Sequence, residues 1–152
     1  MTVTFDVLAL GEGIGVAAVV ILMLLLIWLM FVNFRHWLSS RKYEVGDRAA
    51  MRRRWQEVES LLDASGELSP KLALIEADKL LDHALKTLAM PGDTLGERLK
   101  FAQYKYPHLR DVWWAHKIRN RLVHEASYHL DRRLARKAVN QFRKSLQTIG
   151  AI

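Results

Sequence analysis

Hydrophobic and polar positions divide this chain into one continuous apolar run and a series of amphipathic segments. No charged residue occurs from Gly13 to Phe34, and a run of about 20 such residues matches the ~30 Å hydrocarbon core of a bilayer. The run is apolar on all sides rather than along one stripe, which argues against a buried core helix. The pattern therefore predicts a single N-terminal transmembrane helix within residues 1–38.

Beyond a linker at residues 39–47, apolar residues recur every three or four positions, as they do in amphipathic helices. The first helix is predicted to start at Asp47, after a break at Gly46, and the second at Ser69, an N-cap before Pro70. The third starts at the capping box Thr94–Glu97, and the last two start at Leu109 and Asp131. Short loops join these helices and no strand pattern appears. The sequence predicts an all-α fold, with an up-and-down helical bundle over residues 48–152.

Charge is distributed unevenly about the apolar run. All 23 lysines and arginines follow it, whereas Asp6 and Glu12 precede it. The positive-inside rule then predicts a single-pass protein of the plasma membrane, with the N-terminus outside and the helical domain in the cytoplasm. The chain has no cysteine, which excludes disulfides and thiolate chemistry.

A basic cluster follows the span: Arg35, Arg41, Lys42, Arg52, Arg53 and Arg54. Anionic lipid headgroups and nucleic acid are the two ordinary partners of a basic domain beside a bilayer. For this cluster we favour lipid contact together with its role in topology, because it lies directly after the span.

Candidate chemistry is concentrated at Arg119, Asn120 and His124. An arginine binds a phosphate, a histidine transfers protons at neutral pH, and an asparagine positions groups by hydrogen bonding. Asn120 and His124 share one helix face, which His116 extends, whereas Arg119 lies about 140° away from His124. Either the helix ends near His124, or a second chain completes the site.

This arrangement resembles the Arg-x4–6-His motif of the HEPN superfamily, all-helical domains that include many metal-independent ribonucleases. The resemblance covers the helical part after the span. It implies an endoribonuclease with Arg119, Asn120 and His124 as catalytic residues, no cofactor, and a homodimer in which the motifs of two chains line one cleft that takes RNA. It also suggests a toxin or antiviral defence effector. Some members carry a tyrosine two residues after the histidine, but this chain has Ala126 there.

Arg119 falls within a predicted inward stripe formed by Val112, Ala115, Leu122 and Ala126. A cation on an apolar stripe needs a partner or a wet crevice. Asp78 occupies the matching position on the apolar stripe of an earlier helix. The two residues form either a buried bridge that only fixes helix packing, or a pair in which Asp78 orients Arg119 toward a phosphate.

Five further residues are predicted to serve the same site. His116 and Asp78 are supporting residues, while Trp113, Lys117 and Arg121 are candidates for contact with RNA or phosphate. We predict no metal site, since no carboxylate lies on the His116–His124 stripe. In the alternative function the chain is a non-catalytic, membrane-anchored dimerisation or binding module. Its arginine and histidine would then be structural, or would bind a phosphate ligand or anionic lipid.

Overall fold

The first helix is long and apolar and forms a unit of its own. The computed structural model describes residues 7–40 and 45–152, with side chains for 16–34 and 47–152. Helix α1 (Val7–Ser40) belongs to a unit of its own, and residues 41–152 form a second compact unit. Within α1, Val16–Phe34 has a mean hydropathy of 2.8, and its side chains are exposed. By length and composition this segment could span a membrane.

The second unit is a helical bundle, which confirms the all-α fold over the residues that the structure describes. It comprises α2 (Val45–Asp63), α3 (Ser69–Thr87), α4 (Leu95–Lys105), a 3-10 turn (Pro107–Asp111), α5 (Val112–His124) and α6 (Arg132–Thr148). Helix α3 packs against α2, α4, α5 and α6, so it lies at the centre. Its position explains why α3 buries residues on more than one face: Ala73, Leu74, Ala77, Asp78, Leu80, Leu81, Ala84 and Leu85.

Three helix starts differ from those predicted. Helix α5 begins at Val112 rather than at Leu109, which lies in the 3-10 turn Pro107–Asp111. Helix α2 begins at Val45 and includes Gly46, where a break was expected. A glycine costs only about 1 kcal/mol within a helix, which the packing of the rest of α2 can offset. Helix α3 has Leu68 rather than Ser69 as its N-cap, with no side-chain cap. Pro70 still lies in the first turn, where its missing N–H breaks no hydrogen bond.

The predicted capping box at the start of α4 is confirmed. Thr94 Oγ1 accepts a hydrogen bond from the Glu97 amide at 3.2 Å. The Glu97 carboxylate in turn accepts from the amides of Asp93 and Thr94, at 2.6 and 3.3 Å. These contacts stop the chain from fraying after the turn and so fix where α4 begins beside α3.

Helix α5 has His124 as its last residue, and Glu125 is in an extended conformation. The expectation that Ala126 lies on an inward stripe is wrong, because Ala126 follows the helix and is exposed. The helix end near His124, one of the two explanations for the 140° offset between Arg119 and His124, is thus present. The other, a second chain that completes the site, stays a prediction. The last helix begins as expected, with Asp131 Oδ1 capping the Leu134 amide at 2.8 Å.

The capping box makes a prediction about acid stability. Hydrogen bonds from the Asp93 and Thr94 amides lower the pKa of Glu97 below its ordinary value of 4.5. A depressed pKa contributes stability that is present above pH 4.5 and lost as the pH falls through the folded-state pKa. In the Glu97→Gln variant the thermal midpoint should therefore fall less steeply as the pH is lowered below 4.5. Glu57→Gln, an exposed glutamate that caps no helix, is the control, and a pH dependence unchanged by Glu97→Gln would contradict the assignment.

Candidate functional site

The site is built around one carboxylate, that of Asp78, which is buried between α3 and α5. Its side chain is only 5% exposed. Oδ1 lies 2.6 Å from Nδ1 of His116, and Oδ2 lies 3.2 Å from Nε of Arg119. The predicted Arg119–Asp78 contact is therefore present, and His116 joins it as a second partner. A buried carboxylate needs such partners because burial without them costs several kcal/mol.

His116 also contacts Asn120, and Asn120 returns to Arg119. Asn120 Nδ2 lies 3.2 Å from His116 Nε2, while Arg119 Nη1 donates to Asn120 Oδ1 at 3.1 Å. With the Asp78 contacts, these form a closed ring of four side chains. One set of proton positions satisfies its three hydrogen bonds: a neutral imidazole donates from Nδ1 to Asp78 and accepts at Nε2 from Asn120. The ring therefore fixes the orientation of the imidazole, the amide and the guanidinium together.

The contact between Arg119 and Asp78 is electrostatic rather than a hydrogen bond. Nε and Oδ2 are within ion-pair distance, yet the buried Nε–H finds no hydrogen-bond acceptor in the part of the chain that the structure describes. The N–H direction explains the difference, since it does not point at the oxygen. The Arg119 side chain remains 24% exposed. Its outer nitrogens, apart from the bond to Asn120, are thus available to a ligand in the groove.

An open groove of about 750 Å³ lies over the ring, between α3, α5 and the start of α4. It brings together residues that are distant in sequence: Asp78, Lys79, Asp82, Thr94, Leu95, Gly96, Glu97, Lys100, Trp113, His116, Lys117, Arg119, Asn120 and His124. His124 is exposed at this groove. Among the described residues it makes no contact with the four side chains of the ring. Arg119, Asn120 and His124 therefore face one ligand-sized space.

Lysines on three helices surround the groove. Lys79, Lys100 and Lys117 come from α3, α4 and α5 respectively. Three acidic residues also line the groove, but each is held by other groups. Asp78 is held by His116 and Arg119. Asp82 binds Arg98 at 2.8 Å and Lys86 at 2.7 Å, and the Glu97 carboxylate caps α4. Lys79 is itself paired with Glu76 at 2.7 Å. Lys100 and Lys117 thus face a ligand with less competition than the residue count suggests.

The other predicted contacts are divided between the groove and the surface. Trp113 lines the groove and meets the His116 ring edge to face, with centroids 6.1 Å apart. Lys117 also lines it. Arg121 lies outside the lining, where it pairs with Glu125 at 3.2 Å and stacks over Tyr128.

The predicted lipid-facing cluster is described only in part. Arg52, Arg53 and Arg54 are exposed on α2. Arg41 and Lys42 lie outside the described residues, as does the side chain of Arg35.

Sequence reasoning missed the Asp82–Arg98 bridge, which ties α3 to α4 beside the groove. Arg98 is buried, and its Nη1 also donates to the Asp93 carbonyl at 3.1 Å. A signal for it existed, since Asp78 and Asp82 are four residues apart and so lie on one face of α3. Two carboxylates on one face of a central helix indicate that two cations, from two different neighbours, must meet them.

No family model, curated protein or solved structure matches this chain.

The ring predicts a large effect of neutralising its carboxylate. Asp78→Asn should lower the free energy of unfolding by about 3–5 kcal/mol, because Arg119 loses the counter-charge that Asp78 supplies at its buried end. The thermal midpoint of the full-length protein in detergent should fall by roughly 10 °C or more. Asp63→Asn is the matched control. It removes a carboxylate from an exposed pair with Arg136, at 3.0 Å, and should cost about 0–1 kcal/mol. Equal midpoints for the two variants would show that the ring contributes nothing to stability.

Proposed function

We propose that this chain is a membrane-anchored, HEPN-like endoribonuclease that works without a metal ion, with the groove above the ring as its active site. One observation carries the proposal: Arg119, Asn120 and His124 face the same groove. These three residues provide anion binding, positioning and proton transfer, which together suit a phosphodiester substrate.

In the proposed reaction Arg119 binds the phosphate at the cleavage point. Its guanidinium is held from behind by Asp78 and Asn120. Negative charge builds up on the non-bridging oxygens as the phosphorus becomes crowded, and a fixed guanidinium stabilises this charge with little reorganisation. Lys79, Lys100 and Lys117 would hold the flanking phosphates as point charges.

His124 is the proposed proton-transfer residue. It takes the proton of the RNA 2′-hydroxyl, whose oxygen then attacks the neighbouring phosphorus, and the bond from phosphorus to the 5′-oxygen breaks. The leaving 5′-oxygen gains a proton, which leaves a 2′,3′-cyclic phosphate and a free 5′-hydroxyl. In a homodimer the second copy's His124 would supply that proton. Attachment to one bilayer favours such a dimer by raising the effective concentration of the two chains.

A second candidate function is a non-catalytic binding module. It is favoured by the way the ring satisfies its own members, since both nitrogens of His116 are engaged. Such closure is also typical of a polar network that only fixes helix packing. The groove would then hold a phosphate ligand without cleaving it. In either case a role as a toxin or defence effector rests on the HEPN resemblance alone.

Cleavage tests the proposed function directly. Full-length protein in detergent should cleave single-stranded RNA in the presence of EDTA, and the products should carry 2′,3′-cyclic phosphates. DNA should resist, because it lacks the 2′-hydroxyl. His124→Ala should slow cleavage by about 10²–10⁴, and Arg119→Lys should also be poor, since a point charge does not replace a planar fork. His129→Ala, an exposed histidine outside the groove, is the control. If no cleavage depends on His124, the binding module replaces the enzyme.

Topology can be tested separately. We propose that the segment after α1 lies in the cytoplasm, because every lysine and arginine follows the span. A reporter that is active only in the cytoplasm should function when fused after Ile152. A reporter that works only outside the cytoplasm is the converse test. If that reporter is active after Ile152, the orientation is opposite to the one proposed, and the groove does not meet cytoplasmic RNA.

A further inference from the structure

Helix α6 has a charged face that neither the ring nor the groove uses. It carries six basic residues and no acidic one: Arg132, Arg133, Arg136, Lys137, Arg143 and Lys144. Its opposite face is buried through Ala138, Phe142 and Leu146. The charge therefore lies wholly on the solvent side.

Half of these cations are held by the α2 end of the bundle. Arg136 pairs with Asp63 at 3.0 Å, and Arg143 pairs with Glu59 at 3.1 Å. Arg132 donates to the Ala64 carbonyl at 2.6 Å. These contacts attach one flank of α6 to α2. They have a clear structural purpose and need no ligand.

The centre of the exposed face is different. Arg133, Lys137, Asn140, Lys144 and Gln147 are spaced three or four residues apart, so they form one line along the helix, about 21 Å long. We call this line the α6 stripe. All five residues are exposed, and within the described part of the chain neither Arg133 nor Lys144 has an anionic partner. Its positive charge is thus not neutralised by the protein.

A shallow groove with polar side chains along it adjoins the stripe. This groove, of about 500 Å³, is lined by Lys137, Asn140, Lys144 and Gln147 together with Gln141 and Arg143. At its edge the Lys137 ammonium lies 5.0 Å from the centre of the Trp114 ring, which is 38% exposed. Lysine, arginine and amide side chains are the groups that hold the phosphates and sugars of a nucleic acid, and an exposed indole offers a surface for a base.

From these observations we propose that the α6 stripe binds the phosphate backbone of single-stranded RNA outside the active-site groove. The proposal rests on the proposed function for the choice of RNA. An anionic bilayer is the less suitable partner, because peripheral helices bind membranes by inserting large apolar side chains, and the five residues of the stripe are all polar. The amides between the cations also suit a ligand with sugar and phosphate groups rather than charge alone.

Salt-dependent binding tests this surface. The probe is a fluorescein-labelled, single-stranded 2′-O-methyl RNA of about 16 nucleotides, which lacks the attacking hydroxyl and so reports binding without cleavage. Full-length protein is held in phosphatidylcholine nanodiscs, and anisotropy gives the binding constant at several salt concentrations. In the stripe variant Arg133, Lys137 and Lys144 are all changed to Gln. It should bind the RNA more weakly. Its slope of log affinity against log salt should also be shallower by about 2, because each of the three lost phosphate contacts contributes about 0.7 to the slope.

The control variant changes Arg52, Arg53 and Arg54 to Gln, which removes the same charge from exposed positions on α2. It should keep the wild-type slope. Equal losses in the two variants, or no loss in either, would overturn the proposal. Nanodiscs with phosphatidylserine provide the lipid arm. If phosphatidylserine lowers RNA affinity in the wild type but not in the stripe variant, then the stripe binds the bilayer and the proposal is wrong.

This result is independent of the cleavage test. Weaker binding of the uncleavable RNA by the stripe variant, with no His124-dependent cleavage, would retain the stripe and refute the enzyme. If cleavage depends on His124 but the stripe variant binds the RNA as the wild type does, the enzyme is retained and the stripe is refuted.

Discussion

A carboxylate buried between two helices is the constraint from which the site follows. Asp78 lies on the central helix, among leucines and alanines that form the core. Its charge is tolerated only if the opposing helix supplies partners, and α5 supplies two: His116 at hydrogen-bond distance and Arg119 as an ion pair. Because these residues are three positions apart, meeting one carboxylate fixes the rotation of α5 about its own axis. That rotation in turn sets which α5 side chains face the groove.

The remaining side chains of α5 take their places from this rotation. Asn120 is adjacent to Arg119 and one turn after His116, so it can bond to both and close the ring. Trp113 is directed to the groove, whereas its neighbour Trp114 is directed to α6 and Lys137. The groove and the α6 stripe therefore lie on different sides of α5, and one buried charge determines what each of them displays.

Hydrophobic periodicity predicted the helices and the Arg119–Asp78 contact, since each charge interrupts an apolar stripe. It did not predict the bond between His116 and Asp78. The periodic pattern placed His116 on a polar stripe with Asn120 and His124, and a stripe does not show which of its members turns inward. The Asp82–Arg98 bridge was missed for a related reason, because it depends on how α4 docks. The helix starts at Val45 and Ser69 differ from those that local sequence rules give. Packing in the bundle outweighs the cost of a glycine in the first helix and of a missing side-chain cap in the second.

The ring separates two properties that the proposed chemistry needs. Anion binding requires a guanidinium held in place before the substrate arrives, and Arg119 has this support from Asp78 and Asn120. Proton transfer requires an imidazole that is open to the substrate, and His124 lies exposed at the last position of α5, where no helical turn follows it. His116 has the opposite character, because both of its nitrogens are occupied. Of the two histidines on this face, the buried one therefore positions its neighbours, and the exposed one remains available to react.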